Sequence, residues 1–211
     1  ALVTGEISAI NALTYATFLG ILGFGILLAF TNVLTAVVAG IGYFFYVVVY
    51  SVWKRRSVYS TVVGSVSGAV PPVVGYTAAA NQVDAAALTL FLILVLWQMP
   101  HFYAIGIFRR AEYEAAGLPI LPVKLGTAEA KRQIPVYIIG FIVACPLLTA
   151  FVYSIYWFAV VTAVLGGWWL YHAILGFDAN DDRQWAKQLF RQSLAVLTLT
   201  CIFISIDSVL L

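Results

Sequence analysis

Between Leu96 and Ile134 the chain reads LWQMPHFYAIGIFRRAEYEAAGLPILPVKLGTAEAKRQI, and most of its polar chemistry is gathered there. On a helix turning about 100° per residue, Gln98, His101, Ile105, Phe108, Arg109 and Glu112 fall within one stripe about 100° wide. That stripe offers an amide, an imidazole, a guanidinium and a carboxylate. Polar groups inside an apolar helix are costly unless satisfied, so Gln98 and His101 mark either a cavity or hydrogen bonds between helices. A histidine metal pair is disfavoured, because the only other histidine, His172, lies in a different helix with no motif around it.

The loop beyond adds Glu112, Glu114, Lys124, Lys131 and Arg132, stiffened by Gly117, Pro119 and Pro122. Carboxylates hold hard cations while Lys and Arg neutralise phosphate oxygens, so this mixture suits a magnesium diphosphate. A solvated loop enriched in bases by membrane topology reads the same way from spacing alone.

The rest of the chain decides what surrounds these residues. With 211 residues, 63% hydrophobic and 9% charged, and a mean hydropathy of +0.99, it lacks the polar side chains to clothe a soluble core. These values predict an integral membrane protein of one domain, residues 1–211. A net charge of +2, scattered through apolar sequence, excludes nucleic acid as a partner class. Cys145 and Cys201 stand alone in apolar runs and read as small buried hydrophobes.

A hydrocarbon layer about 30 Å thick needs roughly 20 apolar helical residues. Seven stretches qualify: Ala9 to Phe30, Val33 to Trp53, Thr61 to Ala79, Ala85 to Phe108, Pro135 to Tyr153, Phe158 to Phe177 and Ser193 to Leu211. The fold class expected is an all-α polytopic membrane bundle, with tight hairpins at Thr31-Asn32 and near Ser154-Ile155. Every Lys and Arg lies after the second, fourth or sixth stretch: Lys54, Arg55 and Arg56; Arg109, Arg110, Lys124, Lys131 and Arg132; Arg183, Lys187 and Arg191. The positive-inside tendency then puts the N-terminus and the charged loops in the cytoplasm and the C-terminus outside.

In the third stretch, GSVSGAVPPVVGY concentrates Gly64, Ser65, Ser67, Gly68, Pro71, Pro72 and Gly75. Such a bent, small-residue helix either packs closely or lines a cavity. Tyr43, Phe44, Phe45, Tyr46 and Tyr50 suit an interface belt or an apolar tunnel, and so do Trp168, Trp169 and Tyr171. FDANDDRQWAKQLFRQ reads as a short interfacial amphipathic helix, with Asp178, Asp181 and Asp182 as caps rather than metal ligands.

The word WQMPHFYAIGIFRRAEYEAAGLPILPV closely resembles the signature of the protoheme IX farnesyltransferases, or haem O synthases, of the UbiA-type intramembrane prenyltransferase superfamily. LVTGEIS at Leu2 to Ser8, KRRSVYSTVVGSVSGAVPPVVGY at Lys54 to Tyr76 and DRQWAKQLFRQS at Asp182 to Ser193 extend the likeness over essentially the whole chain. The resemblance implies a helical enzyme of the bacterial cytoplasmic (inner) membrane that binds farnesyl diphosphate through Mg²⁺. Its C1 is joined to the 2-vinyl group of haem b (protohaem IX), which is a substrate rather than a cofactor, and water addition yields haem O. The lipid bilayer is a partner, and a haem A synthase or a terminal oxidase receives the product.

By position, the resemblance implies His101, Arg109 and Glu112 as catalytic residues, with Glu112 as the magnesium contact and His101 meeting haem or handling a proton. Gln98, Tyr113, Lys124, Lys131 and Arg132 are the expected substrate contacts. Glu112 stands where the family usually has Asp, and PVKLG stands where it generally reads PVVKG, so Lys124 is one place early. The family's first acidic motif, of the N-D-x-x-D type, is missing together with two further helices. Seven stretches would then match the last seven of nine, and Ala1 at the start of a loop-like ALVTGEIS agrees with missing N-terminal sequence. The expectation is that this polypeptide alone has little or no transferase activity. Three alternatives are a sister prenyltransferase for a quinone precursor or chlorophyllide, a noncatalytic remnant, and a transporter gated by the charged mouth. WQMPHF argues against the sister prenyltransferase.

Overall fold

A membrane interior offers no water to backbone groups, so an apolar chain must close its hydrogen bonds within helices. The computed structural model describes residues 4–151 and 156–209, and no strand occurs among them. The expected turn at Ser154-Ile155, the end of the fifth stretch at Tyr153, residues Leu2 and Val3 of the first word and the last stretch's end at Leu211 lie outside the described residues.

Helix α1 spans Ala9–Phe30 and α2 Val33–Trp53. The expected hairpin joins them: the Asn32 side chain caps α2 by accepting from the Thr35 N–H at 2.9 Å. The same amide donates to the carbonyl of Thr77 at 2.9 Å, tying the start of α2 to the end of α3 (Ser60–Ala80). Within α2, residues Phe45–Tyr50 form a π-helical turn, a widening often found at functional sites. Helix α3 breaks at Ala69, because Pro71 and Pro72 have no N–H to continue the ladder.

Helix α4, Ala85–Phe108, is capped by Asp84, whose carboxylate accepts from the N–H groups of Ala86 and Ala87 at 3.0 and 3.1 Å. It is the most deeply packed span, burying Trp97, Gln98, Met99, Tyr103, Ala104 and Ile107. Two short helices follow, α5 (Arg110–Ala115) and α6 (Leu121–Lys124). Helices α7 (Thr127–Phe151), α8 (Tyr156–Leu175) and α9 (Asp182–Val209) complete the bundle. Phe141, Trp169, Leu189 and Val196 carry its core against α4. Indole N–H groups act as clamps between helices: Trp97 donates to the Ser193 carbonyl at 2.8 Å, and Trp185 to that of His172 at 2.9 Å.

Among the described residues, seven helices are long and apolar enough to cross a membrane, as the hydropathy predicts. The starts of α7 and α9 differ most from the expectation, since charge ends an apolar window without ending a helix. Helix α7 begins at Thr127 rather than Pro135, so Lys131 and Arg132 are helical and not part of a loop. The Asp182–Ser193 stretch forms the first turns of α9 rather than a separate interfacial helix. Asp181 caps α9 as expected, accepting from the N–H groups of Arg183 and Gln184 at 2.9 and 3.0 Å. Cys145 is buried, but Cys201 is exposed, contrary to its reading as a core residue.

Candidate active site

The broken α3, the π turn of α2 and the middle of α4 enclose a cavity of about 720 Å³. Tyr43, Tyr46 and Tyr50 form its α2 wall, and Tyr46 stacks on Tyr50 with centroids 5.8 Å apart. Helix α3 contributes Ser60, Thr61, Gly64, Ser67, Gly68 and Pro71, so its small-residue segment both lines the cavity and permits close packing. A Cβ at Gly64 would come within 2.9 Å of the Tyr50 ring, so the bare backbone is what seats that tyrosine. Tyr113 of α5, with Ile120 and Pro122, lines the cavity from the loop after α4. The cavity therefore reaches the segment that follows α4.

Gln98 is the buried polar group of the α4 wall. Its Nε2 donates to the carbonyls of Leu94 at 3.0 Å and Ser65 at 3.4 Å, which fixes which end of the amide is nitrogen. Oε1 is thereby turned toward Gly68, whose missing side chain makes room for it. Tyr103, also on the wall, donates from its hydroxyl to Gln133 Oε1 at 3.0 Å. Gln133 Nε2 donates to Glu129 at 3.0 Å, and Glu129 pairs with Arg132 at 3.7 Å. A polar chain thus runs from the cavity wall to the exposed surface of α7. Gln133 and Tyr103 escaped the sequence reading, since neither stands out until α4 and α7 are side by side.

At the mouth, the stripe expected on a continuous helix is interrupted. Helix α4 ends at Phe108, Arg109 leaves helical geometry with φ −107° and ψ 20°, and α5 starts at Arg110. Arg109 and Glu112 still meet at 3.5 Å, both well exposed. Lys124, at the end of α6, is exposed and pairs with no carboxylate among the described residues. Lys54 lies 6.0 Å from the ring centre of the cavity tyrosine Tyr50, which brings near the cavity a cation that the sequence had marked only for topology and as part of a family-like word. The i, i+4 spacing of Tyr50 and Lys54 was the available signal.

Three expected site residues, Lys131, Arg132 and His101, lie away from this cavity. Lys131 is buried, forms an ion pair with Asp182 and sits 5.4 Å from the centre of the Trp185 ring. With Arg132 it lines a separate cavity of about 230 Å³ among α7, the end of α8 and α9. His101, near the far edge of the α4 stripe from Gln98, turns to α9 and meets Ser193 Oγ at 2.7 Å. Trp97 stacks on its ring at 4.7 Å and Phe190 packs against it at 4.8 Å. Among the described residues no three His, Cys, Asp or Glu side chains group as a metal site. Glu112, the neighbour of the cavity residue Tyr113, offers a single exposed carboxylate, and a magnesium bound mainly through phosphate and water needs only one or two from the protein.

The family model of the UbiA prenyltransferase family matches residues 1–195. The chain belongs to the UbiA prenyltransferase family. This prenyltransferase chain is 50% identical over 206 residues to protoheme IX farnesyltransferase 2 of Pseudomonas aeruginosa (strain UCBPP-PA14), covering 97% of this chain and 70% of that protein. It is 49% identical to protoheme IX farnesyltransferase of Pseudomonas syringae pv. syringae (strain B728a), covering 98% and 70%. A solved structure from work on the biosynthesis of digeranylgeranylglyceryl phosphate synthase in membranes matches all of this chain and 74% of its own, with a TM-score of 0.79 at 16% identity. That likeness is one of fold. Seven apolar helices and UbiA membership make the chain an integral membrane prenyltransferase.

Proposed function

We propose that this UbiA-family chain transfers the farnesyl group of farnesyl diphosphate to the 2-vinyl group of protohaem IX, giving haem O. The observation that carries this reading is the 50% identity to a protoheme IX farnesyltransferase over 97% of the chain. The cavity suits the chemistry. An allylic carbon becomes cationic as its diphosphate leaves, and the tyrosine faces of Tyr46 and Tyr50 favour such charge while excluding water.

At the mouth, Arg109, Lys124 and Lys54 oppose the growing charge on the diphosphate. Exposed ion pairs contribute little, so Arg109 can exchange Glu112 for a phosphate oxygen at small cost. Magnesium, when bound, would supply further positive charge against the leaving group, and Glu112 is the carboxylate that would hold it. Arg132, exposed and paired with Glu129, lies with Lys131 away from this cavity, and Lys131 serves chiefly as a strut to Asp182. Gln98 and Tyr113 meet the substrate inside the cavity. We infer that the basic end faces the cytoplasm of the bacterial inner membrane, because every Lys and Arg follows an even-numbered span. The product would pass to a haem A synthase or a terminal oxidase.

The test is incubation of the protein in membranes with farnesyl diphosphate, haem b and Mg²⁺, followed by mass analysis. The reaction's product has the mass of haem b plus a farnesyl group and one hydroxyl, and its formation by the 211-residue polypeptide alone would overturn the expectation of little or no activity drawn from the missing acidic motif. Prenylation of a quinone precursor with haem b left untouched would overturn the reading.

A further inference from the structure

We propose that Ala39 of α2 and Val74 of α3 close the apolar end of the cavity and limit the prenyl chain that it accepts to about the length of a farnesyl group. This rests on the proposed prenyl transfer and names the residues that measure its donor. The cavity is polar at one end and apolar at the other. Tyr50, Ser60 and Tyr113 line it beside the segment that follows α4, with the Lys54 cation near, whereas Ala39, Gly42, Val70 and Val74 line it farther along α2 and α3. A diphosphate needs the first end and a hydrocarbon tail the second. The donor therefore lies along the groove between α2 and α3, with its last isoprene unit at Ala39 and Val74.

Helical rise gives the scale. Tyr50 and Ala39 are eleven residues apart on α2, about 16 Å at roughly 1.5 Å per residue. A farnesyl chain, with twelve carbons in line, reaches about 13 Å where three bonds span roughly 3.5 Å, and one more isoprene unit adds about 5 Å. Farnesyl fits within the groove and the next longer homologue overruns it. The turn beyond offers no continuation. Thr35 lies four residues before Ala39 and Thr77 three after Val74, on the same helix faces. Both threonines are fully buried, and their hydroxyls meet at 3.1 Å. The Asn32 amide, donating to the Thr77 carbonyl at 2.9 Å, ties the helices at the same level. On the cavity side a Cβ at Gly42 would stand 2.7 Å from Val70 Cγ1, so α2 and α3 are in direct contact along this end. A larger side chain at position 39 or 74 would take the place of the last isoprene unit and leave the polar end untouched.

The full-length protein in lipid nanodiscs with Mg²⁺ is titrated by calorimetry with the inert S-thiolodiphosphates of geranyl, farnesyl and geranylgeranyl chains, so that binding is read without transfer. Wild type is expected to bind the farnesyl analogue more tightly than the geranylgeranyl one by about tenfold or more, because the last unit of the longer chain meets the bonded pair Thr35 and Thr77. Val74→Phe should weaken farnesyl binding by about tenfold or more and leave geranyl binding within about twofold, since only the longer chain reaches position 74. Ala39→Phe, on the facing helix, should do the same. An equal loss for the geranyl and farnesyl analogues in these variants would overturn the proposal. So would equal wild-type affinity for all three lengths, the result expected of a tail that leaves the cavity sideways into lipid. If neither phenylalanine variant folds, the wild-type length series and Ala39→Leu decide, and unchanged length preference in that variant refutes the assignment. Failure of the haem reading shows separately, as a protein that keeps this length preference and makes no haem O.

Discussion

Replacing Gly68 with alanine should strike the cavity through Gln98 rather than through the helix that carries the change. A Cβ at Gly68 would overlap the Oε1 of Gln98 and stand 2.9 Å from its Cδ, closer than real side chains approach. Gln98 is 5% exposed, so the amide can turn only into the cavity that it lines. It must rotate and give up its bond to Leu94 or Ser65. Losing a buried hydrogen bond costs about 1–2 kcal/mol, a factor of roughly 5–30 in an equilibrium. Alanine is favoured over glycine in a helix by up to about 1 kcal/mol, so thermal stability should move little. Activity is the cleaner readout. The expected result is a fall in kcat/KM for farnesyl transfer to haem b of about 5- to 30-fold. In a Gln98→Ala background the same glycine change should alter the rate by no more than about twofold, because the obstructing amide is gone. A Gly68→Ala protein with wild-type kcat/KM, or an undiminished loss in the Gln98→Ala background, would refute the reasoning.

Lys131→Met should lower thermal stability by about 2 kcal/mol, since it strands Asp182 beside Trp185. Lys124→Ala should instead raise the KM for farnesyl diphosphate with unchanged melting; the opposite pattern in the two variants would reverse their assigned roles. Glu112→Gln should require several-fold more magnesium for half-maximal activity, measured by titrating the ion at fixed diphosphate, and an unchanged titration would remove Glu112 from the metal site. The hydroxyl of Tyr76, with the N–H groups of Ala87 and Ala86, holds the Asp84 carboxyl below its ordinary value of 3.8. A depressed carboxyl stabilises the fold above the unfolded value and loses that contribution as pH falls through the folded one. Wild type should therefore lose melting temperature from about pH 4 downward more steeply than Asp84→Asn, and equal slopes would show that this cap is thermodynamically silent.

The number of spans and the gathering of basic residues at alternate loops were legible in the sequence, because hydropathy and charge are properties of single residues summed over a window. Membership of the prenyltransferases was legible in the words around Trp97 to Val123. Helix ends were less so. The expected apolar stretch begins at Pro135, but the backbone of α7 is helical from Thr127, because lysine and arginine are good helix formers.

What a linear chain cannot express is which neighbour each side of a helix meets. Gln98 and His101 lie about 60° apart around α4, close enough to share one polar stripe by helical periodicity. Packing separates them: α3 approaches one edge with Gly68 and a cavity, while α9 approaches the other with Phe190 and Ser193. Lys131 and Gln133, two residues apart on α7, are likewise sent to Asp182 and to the cavity tyrosine Tyr103. The sequence by itself determined a membrane-spanning prenyltransferase with its charge at one mouth. Only the tertiary structure decided which of those polar groups face the cavity and which lock the helices around it, because that choice depends on the rotation of each helix against partners distant in the chain.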